Sequence, residues 1–272
     1  MVVTSSVSRA DQGLRWHLHL LTSTAAGAAI LIHRLGLMNK TFTGEEAAAI
    51  IDQTLLRPDI PEPTFKQWII DNSKRKFATM FVPPSFVSLA SMHLLETSTK
   101  VGSVISYPLG YDVRKTKIQA LKDLIDRGAE EVDFVVNISW LKSGDDSEFK
   151  GELRDLRSYA DTRKTMRDER VVLKGIIECC YLSETEKRWA VEHLANAKID
   201  FVKTSTGLGT HGATVSDVQL LKSSAHGRIE VKASGGIRTR KDLEQMVAAG
   251  ATRIGTSAGA DILAEYLSLP DF

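Results

Sequence analysis

Residues 229–256 read IEVKASGGIRTRKDLEQMVAAGATRIGT and show a strand–helix–strand pattern. A short apolar run that carries Lys232 comes first, an amphipathic helical pattern follows at 240–249, and a second apolar run occupies 252–256. Gly250 lies just after the helical pattern, where a glycine commonly ends a helix. Strands that alternate with helices indicate βαβ units and therefore a parallel sheet.

The same alternation extends over the chain from Phe42 onward. Helical patterns at 115–127, 148–167, 184–197 and 215–223 separate most of the other apolar runs. Eight apolar runs are present, at 49–52, 78–82, 101–106, 132–137, 171–177, 200–203, 229–233 and 252–256. Eight βα units within about 235 residues fit a closed barrel better than an open sheet. The sequence therefore predicts an α/β fold, a single (β/α)₈ TIM barrel.

Residues 1–37 differ in composition from this pattern and are predicted to be an extension to a barrel domain at 38–272. An apolar stretch at 20–37 is interrupted by His33 and Arg34, so no uninterrupted span of about 20 residues could cross a bilayer. Two interpretations of the extension stay open. It is either a non-native or dispensable start upstream of Met38, or a targeting segment, because it contains several Arg, Ser and Thr and few acidic residues.

The overall composition excludes several classes of protein. Hydrophobic residues make up 43% and charged residues 25% of the chain, which is ordinary for a soluble globular enzyme. The formal net charge is +1, so nothing favours nucleic acid or membrane as a partner. The only cysteines, Cys179 and Cys180, are adjacent, which argues against a disulfide framework. We expect a reducing, cytoplasmic location.

Two lysines end apolar runs and are followed by small and glycine residues. Lys203 precedes Thr-Ser-Thr-Gly, and Lys232 precedes Ala-Ser-Gly-Gly. Each could simply extend its amine to solvent from a strand end. The alternative is chemical: an amine close to a second cation in a partly dry site loses its proton more easily and becomes a nucleophile for carbonyls. Two such lysines at consecutive strand ends favour the chemical interpretation.

Other polar residues lie in or after the apolar runs and should converge at one end of the barrel, where barrel enzymes have their active sites. Asp133 is within a strand, where an unpaired carboxylate is costly, so we expect it to pair with an amine. No set of His, Asp and Glu has metal-ligand spacing, and we expect no metal. The remaining candidates are Asp52, Thr54, Asn137, Lys174, Glu178, Thr204, Ser205, Ser234 and Ser257.

Two glycine-rich segments follow the last two predicted strands. Residues 233–239 contain Gly235 and Gly236, and residues 255–260 begin with Gly255. Barrels frequently bind phosphate with the loops after strands 7 and 8, where glycine allows close approach of backbone N–H groups. The two segments therefore predict a phosphate site next to Lys232.

Six segments, taken together, resemble the deoxyribose-phosphate aldolase family from Gly44 to Ala264. They are residues 51–58, 107–110, 131–138, 201–214, 231–239 and 250–259. The resemblance implies a class I aldolase without cofactor or metal. Such an enzyme cleaves 2-deoxy-D-ribose 5-phosphate reversibly to acetaldehyde and D-glyceraldehyde 3-phosphate, in deoxynucleoside catabolism. Its partners are then a sugar phosphate and aldehydes, and family members are commonly homodimers.

The resemblance also implies roles for individual residues. Lys203 matches the Schiff-base lysine, Lys232 the second lysine whose charge lowers the pKa of the first amine, and Asp133 the acid/base aspartate. We predict contacts with the substrate and its phosphate from Asp52, Thr54, Lys174, Thr204, Ser234, Gly235, Gly236, Gly255 and Ser257.

The chain departs from the family pattern at three positions of the pocket wall. Gln53 replaces a His, Phe81 a Cys and Pro83 an Asn, which leaves substrate fit and turnover open. Two other functions stay open as well. One is another Schiff-base sugar-phosphate aldolase or transaldolase, which would share the site chemistry. The other is a non-catalytic sugar-phosphate-binding relative, which would have no need of a nucleophilic amine.

Overall fold

The computed structural model describes residues 42–268, and the predictions for residues 1–37 lie outside that range. Strands and helices alternate along the chain. The strands are β1 Ile51–Thr54, β2 Thr79–Phe81, β3 Lys100–Ile105, β4 Glu131–Val135, β5 Val172–Ile176, β6 Phe201–Lys203, β7 Glu230–Ser234 and β8 Arg253–Thr256. The helices are α1 Gly44–Ala48, α2 Glu62–Ser73, α3 Val87–Leu94, α4 Arg114–Asp126, α5 Ile138–Ser143, α6 Asp146–Asp161, α7 Glu184–Asn196, α8 Val215–Ala225, α9 Arg240–Ala249 and α10 Gly259–Leu267.

The eight strands form one closed parallel barrel, which confirms the predicted fold. Each strand pairs with the next in sequence, and β1 pairs with β8 to complete the ring. The β6–β7 register places Lys203 beside Lys232, and the β4–β5 register places Asp133 beside Lys174. Closure therefore brings polar residues that are far apart in sequence into one interior. Within the described residues, no helix is long and apolar enough to cross a membrane.

Helix α9 shows why these residues form these elements. Its N-cap, Thr239, accepts from the backbone N–H of Asp242, whose side chain in turn accepts from the backbone of Thr239. This reciprocal capping box satisfies two N–H groups that the helix leaves unpaired. Gly250 ends the helix at φ 113°, a left-handed conformation that favours glycine. The predicted bounds, residues 240–249, are those observed.

Helix α6 ends six residues earlier than the periodicity predicts. The pattern extends to Arg167, but the helix stops at Asp161. Lys164 forms an isolated antiparallel bridge with Arg170, and Asp168 adopts a φ of 60°, so the chain turns back here. The Arg167 side chain binds Glu130 and backbone carbonyls near the start of β3. These tertiary contacts outweigh the local helical preference.

Candidate active site

Lys203, Lys232 and Asp133 meet in the barrel interior. Nζ of Lys203 donates to Oδ2 of Asp133 at 2.8 Å, and Nζ of Lys232 donates to the same oxygen at 2.7 Å. Asp133 is fully buried at the centre of β4, where an unpaired carboxylate would cost several kcal/mol, on the order of the penalty for breaking a buried pair. The predicted pairing of this carboxylate with an amine is thus present, and two amines donate hydrogen bonds to the same oxygen.

Exposure distinguishes the two amines. Lys203 is 6% exposed and lines a cavity that opens at the C-terminal ends of the strands, whereas Lys232 is 1% exposed and does not. A nucleophile must reach its substrate, so Lys203 is the amine that can attack a bound carbonyl. Lys232 lies behind it, in contact with the shared carboxylate.

Two further carboxylates lie around these amines. Oδ2 of Asp52 is 2.5 Å from Nζ of Lys232, and Nη1 of Arg253 donates to Oδ1 of Asp52 at 2.8 Å. Glu131 contacts both Lys174 and Arg253. Nζ of Lys174 also lies 3.4 Å from Oδ1 of Asp133. We call this set the amine cluster; its members are Asp52, Glu131, Asp133, Lys174, Lys203, Lys232 and Arg253.

Sequence reasoning missed Glu131 and Arg253. Glu131 lies two residues before Asp133 on β4, and Arg253 lies within the last apolar run. Because successive side chains of a strand alternate between its faces, Glu131 and Asp133 share the interior face. That spacing was the signal that could have found Glu131, whereas the pairing of Arg253 with Asp52 depends on barrel closure.

The charges of the cluster shift the pKa values of its members. Burial alone would raise the pKa of Asp133, but Lys203, Lys232 and Lys174 outweigh it and lower that pKa to about 2. Burial also opposes ionisation of Asp52, yet Lys174, Lys232 and Arg253 hold the pKa of Asp52 well below its usual range. Both carboxylates are therefore ionised at neutral pH.

The pKa of Lys232 lies below its usual value. Burial lowers it to about 8, against the opposing effects of Asp133 and Asp52, and the cations Lys203 and Lys174 lower it further. The prediction from the family resemblance, that the charge of Lys232 favours the neutral amine of Lys203, stays a prediction. Lys203 and Lys232 both donate to Oδ2 of Asp133. When Lys232 loses a proton, its neutral amine is therefore separated from Lys203 only by this shared oxygen.

A cavity of about 220 Å³ lies above the amine cluster, at the C-terminal ends of β1, β6, β7 and β8. Its wall includes six of the nine residues predicted to contact substrate, in addition to Lys203. These six are Thr54, Ser234, Gly235, Gly236, Gly255 and Ser257. The two glycine-rich segments therefore line the same cavity as the amine of Lys203.

The other three residues predicted to contact substrate, Asp52, Lys174 and Thr204, do not line this cavity. Asp52 and Lys174 lie in the amine cluster and are fully buried. Thr204 is fully buried too; its hydroxyl donates to the carbonyl of Ser234 at 3.2 Å and accepts from the N–H of Ser234 at 3.1 Å. All three support the site from within the barrel, because their polar groups face protein partners.

The cavity also contains residues that were not predicted, namely Leu56, Thr206, Gly207, Ile237, Arg238 and Thr256. Arg238 brings a guanidinium to the loop after β7, and its place in Gly-Gly-Ile-Arg was a usable signal. Thr206 is positioned by Glu178, which accepts from its hydroxyl at 2.5 Å and from its N–H at 3.2 Å. Glu178 adopts a φ of 51°, a strained conformation for a residue other than glycine.

Gln53 connects β1 to the loop after β8. Its Oε1 accepts from the N–H of Gly259 at 2.9 Å, and its Nε2 donates to the carbonyl of Ser257 at 3.4 Å. Gln53, which departs from the family pattern, therefore uses both polar atoms of its amide to hold the loop that contains Ser257. Among residues 42–268, no group of three or more His, Cys, Asp or Glu side chains is arranged to hold a metal ion.

Comparison with known proteins agrees with this geometry. The chain is 41% identical over 226 residues to the deoxyribose-phosphate aldolase of Thermoanaerobacter sp. (strain X514), covering 82% of this chain and 97% of that protein. It is 42% identical over 229 residues to the deoxyribose-phosphate aldolase of Listeria monocytogenes serotype 4b, covering 82% of this chain and 98% of the relative.

Solved structures and a family model point the same way. A tetrameric deoxyribose phosphate aldolase from Aeropyrum pernix matches with a TM-score of 0.77 and 28% identity, covering 87% of this chain and 97% of that one. Residues 46–265 match the model of the DeoC/LacD family aldolases. These matches confirm the resemblance seen in the sequence, and the chain therefore belongs to the DeoC/LacD family of aldolases.

Proposed function

We propose that this chain is a deoxyribose-phosphate aldolase, a lyase that cleaves 2-deoxy-D-ribose 5-phosphate reversibly to acetaldehyde and D-glyceraldehyde 3-phosphate through a lysine Schiff base. One observation carries the proposal. Lys203, which shares a carboxylate oxygen with a second buried lysine, lines the same cavity as two glycine-rich loops. The relatives described above bear the name of this activity.

The first step is attack of the neutral Lys203 amine on the C1 aldehyde of the open-chain sugar. The nitrogen forms a bond to C1 and gives up one of its protons, and the former carbonyl oxygen takes a proton to become a hydroxyl. A second proton then lets this hydroxyl leave as water, and the protonated imine remains. Asp133 and Lys232 are placed to exchange these protons, because both are hydrogen-bonded to the reacting amine or its partner.

Carbon–carbon cleavage follows. The C3 hydroxyl gives its proton to Asp133 through a water molecule, the C2–C3 bond breaks, and its electron pair passes through C1 to the imine nitrogen. D-Glyceraldehyde 3-phosphate leaves, and an enamine of two carbons stays on Lys203. Protonation of the enamine at C2 and hydrolysis of the resulting imine release acetaldehyde and restore the amine.

The phosphate is assigned to the loops after β7 and β8. Gly235 and Gly236 have φ values of 88° and 82°, which turn their backbone toward the cavity edge without a side chain in the way. Arg238 adds a positive charge on the same side, a favourable partner for a phosphate. Anchoring the phosphate there would place the other end of the sugar at Lys203.

Several finer assignments belong to the same proposal. The enzyme acts in the cytoplasm, in deoxynucleoside catabolism, on small molecules, and it assembles with a second copy of itself. The relative from Aeropyrum pernix is tetrameric, so sedimentation of this protein at micromolar concentration would distinguish a dimer from a tetramer.

A related Schiff-base aldolase with another sugar phosphate would share Lys203 and Asp133, and a substrate panel distinguishes it from the activity proposed.

Covalent trapping tests the proposed chemistry. Acetaldehyde followed by borohydride should leave a reduced adduct on Lys203, identified by peptide mass spectrometry. Lys203→Ala should abolish both adduct and cleavage, while Lys66→Ala, an exposed lysine on α2, should change neither. An adduct on another lysine, or cleavage that persists in Lys203→Ala, would overturn the mechanism.

A further inference from the structure

Phe81, the last residue of β2, places its ring among three lysine amines. The ring centroid is 4.0 Å from Nζ of Lys232, 4.6 Å from Nζ of Lys174 and 5.9 Å from Nζ of Lys203. All three distances fall within the range of cation–π attraction, and the ring is buried. The mechanism above gives this side chain no role.

The barrel makes room for the ring. Gly102 on β3 is the register partner of Phe81, and a Cβ at Gly102 would lie 2.6 Å from ring carbons. Such a separation is far below van der Waals contact, so any side chain at Gly102 would displace the ring. The pairing of a large residue with a glycine on the neighbouring strand sets the ring at the level of the amines.

The charge of the amine cluster explains what the ring can do there. Its four cationic side chains outnumber its three carboxylates, so one positive charge has no carboxylate of its own. The negative face of an aromatic ring attracts an ammonium group, and more strongly in a site without water. The charged groups around Lys232 and the ring come from five other strands: Asp52 on β1, Glu131 and Asp133 on β4, Lys174 on β5, Lys203 on β6 and Arg253 on β8.

We propose that Phe81 is a positioning residue whose ring stabilises the ammonium forms of Lys232 and Lys174. The ring thereby sets the pH at which the amine cluster loses the proton that must leave before a Schiff base can form. The inference rests on the proposed function, because it assigns a role within that chemistry. It makes a signed prediction. A ring with a weaker negative face should stabilise the ammonium form of Lys232 less, so Lys232 should lose its proton at a lower pH.

Fluorination of the ring tests this with almost no change of shape. Phe81 is replaced by 4-fluorophenylalanine or 3,4,5-trifluorophenylalanine, and the rate of borohydride trapping of acetaldehyde on Lys203 is measured against pH. The midpoint should fall in graded steps, by about half to one pH unit for the trifluoro ring, and trapping below the midpoint should be about three- to tenfold faster.

Phe65 provides the matched control, because it is buried and stacked on Phe86 at 4.2 Å. Trifluorination there should leave the midpoint unchanged, and thermal melts should show both labelled proteins to be folded. An unchanged or higher midpoint with a fluorinated Phe81 overturns the inference alone. Absence of any Lys203 adduct in the unmodified protein overturns the proposed function instead, so the two failures are distinguishable.

Discussion

Oδ2 of Asp133 accepts hydrogen bonds from two amines, Nζ of Lys203 and Nζ of Lys232. The carboxylate holds Lys203 against the cavity and raises the pKa of Lys232, which burial lowers to about 8. In the proposed mechanism it is also the group that takes up and returns protons during cleavage. Its removal should therefore affect both turnover and the pH at which an amine becomes neutral.

For Asp133→Asn we expect a loss of at least about 10²-fold in kcat for cleavage, the usual size of general acid–base assistance. The pH midpoint of Schiff-base trapping should fall below about 8, because a negative charge that favours the ammonium of Lys232 is lost. Steady-state kinetics and trapping against pH measure the two effects. Asp71→Asn, at an exposed position of α2, should show neither effect, and a wild-type midpoint in Asp133→Asn would contradict the assigned electrostatics.

Residues of the amine cluster differ in how far the sequence reveals them. A lysine or aspartate inside an apolar run is conspicuous, because burial of an unpaired charge is costly, and Lys203, Lys232 and Asp133 were predicted on that ground. Which carboxylate each amine contacts was not predictable, since Lys232 and Asp133 are 99 residues apart. The lowered pKa of Lys232 depends on burial that only the packed barrel creates.

At the level of elements, the loop after β7 packs against the loop after β6. A Cβ on Gly235 would lie 2.9 Å from Cα of Gly212 and 3.2 Å from Cα of Gly207, both backbone atoms. The N–H of Ala213 donates to the carbonyl of Gly235 at 3.1 Å. Glycine at 235 therefore permits both the positive φ and the close approach of the two loops that line the cavity.

Gly235→Ala should raise the KM for 2-deoxy-D-ribose 5-phosphate about tenfold, because the added Cβ would displace the loop that is proposed to hold the phosphate and would weaken a hydrogen bond to it, worth about 1–2 kcal/mol. It should also lower the free energy of unfolding by about 1–3 kcal/mol from backbone strain. Gly227→Ala is the matched control, with a φ of 74° and nothing within 4 Å of the added Cβ. It should lose stability with no change in KM; equal KM values in the two variants would contradict the loop assignment.

At the scale of the whole molecule, the buried amine cluster makes the free energy of unfolding depend on pH. The pKa of Asp133 is lowered from 3.8 to about 2, and that of Asp52 is lowered well below its usual range. A carboxylate with a folded pKa below its unfolded pKa stabilises the fold above the unfolded value, and this contribution is lost as pH falls through the folded value.

We therefore expect the free energy of unfolding to decrease from about pH 4 toward about pH 2, with about 2 kcal/mol of the loss due to Asp133. Urea denaturation at a series of pH values measures the slope. Asp133→Asn should have a shallower slope in this window because one titrating carboxylate is absent. A slope equal to that of the unchanged protein would show that Asp133 is not the group responsible.

The domain boundary is also a prediction at this scale. The closed barrel is complete within residues 42–268, so a chain that begins at Met38 should cleave 2-deoxy-D-ribose 5-phosphate with unchanged kcat and KM. Side-by-side kinetics of the full chain and the shortened chain measure this. A clear loss in the shortened chain would show that residues 1–37 contribute to the active enzyme.

The sequence by itself determined the architecture and the chemical class. Apolar runs of strand length alternate with helical periodicity and end at glycines, and these local signals specify a parallel βα barrel. They are local because hydrogen bonding and capping act between residues a few positions apart. Lysines within such runs, followed by glycine-rich loops, also predict a nucleophilic amine next to a phosphate site.

Only the tertiary structure decided how the site is assembled. Barrel closure sets β1 against β8 and brings Arg253 to Asp52, and it places the Phe81 ring among the amines opposite Gly102. It also shows that Asp52, Lys174 and Thr204 lie within the barrel rather than on the cavity wall. These contacts join residues distant in sequence, and electrostatic pairing and packing depend on distance in space.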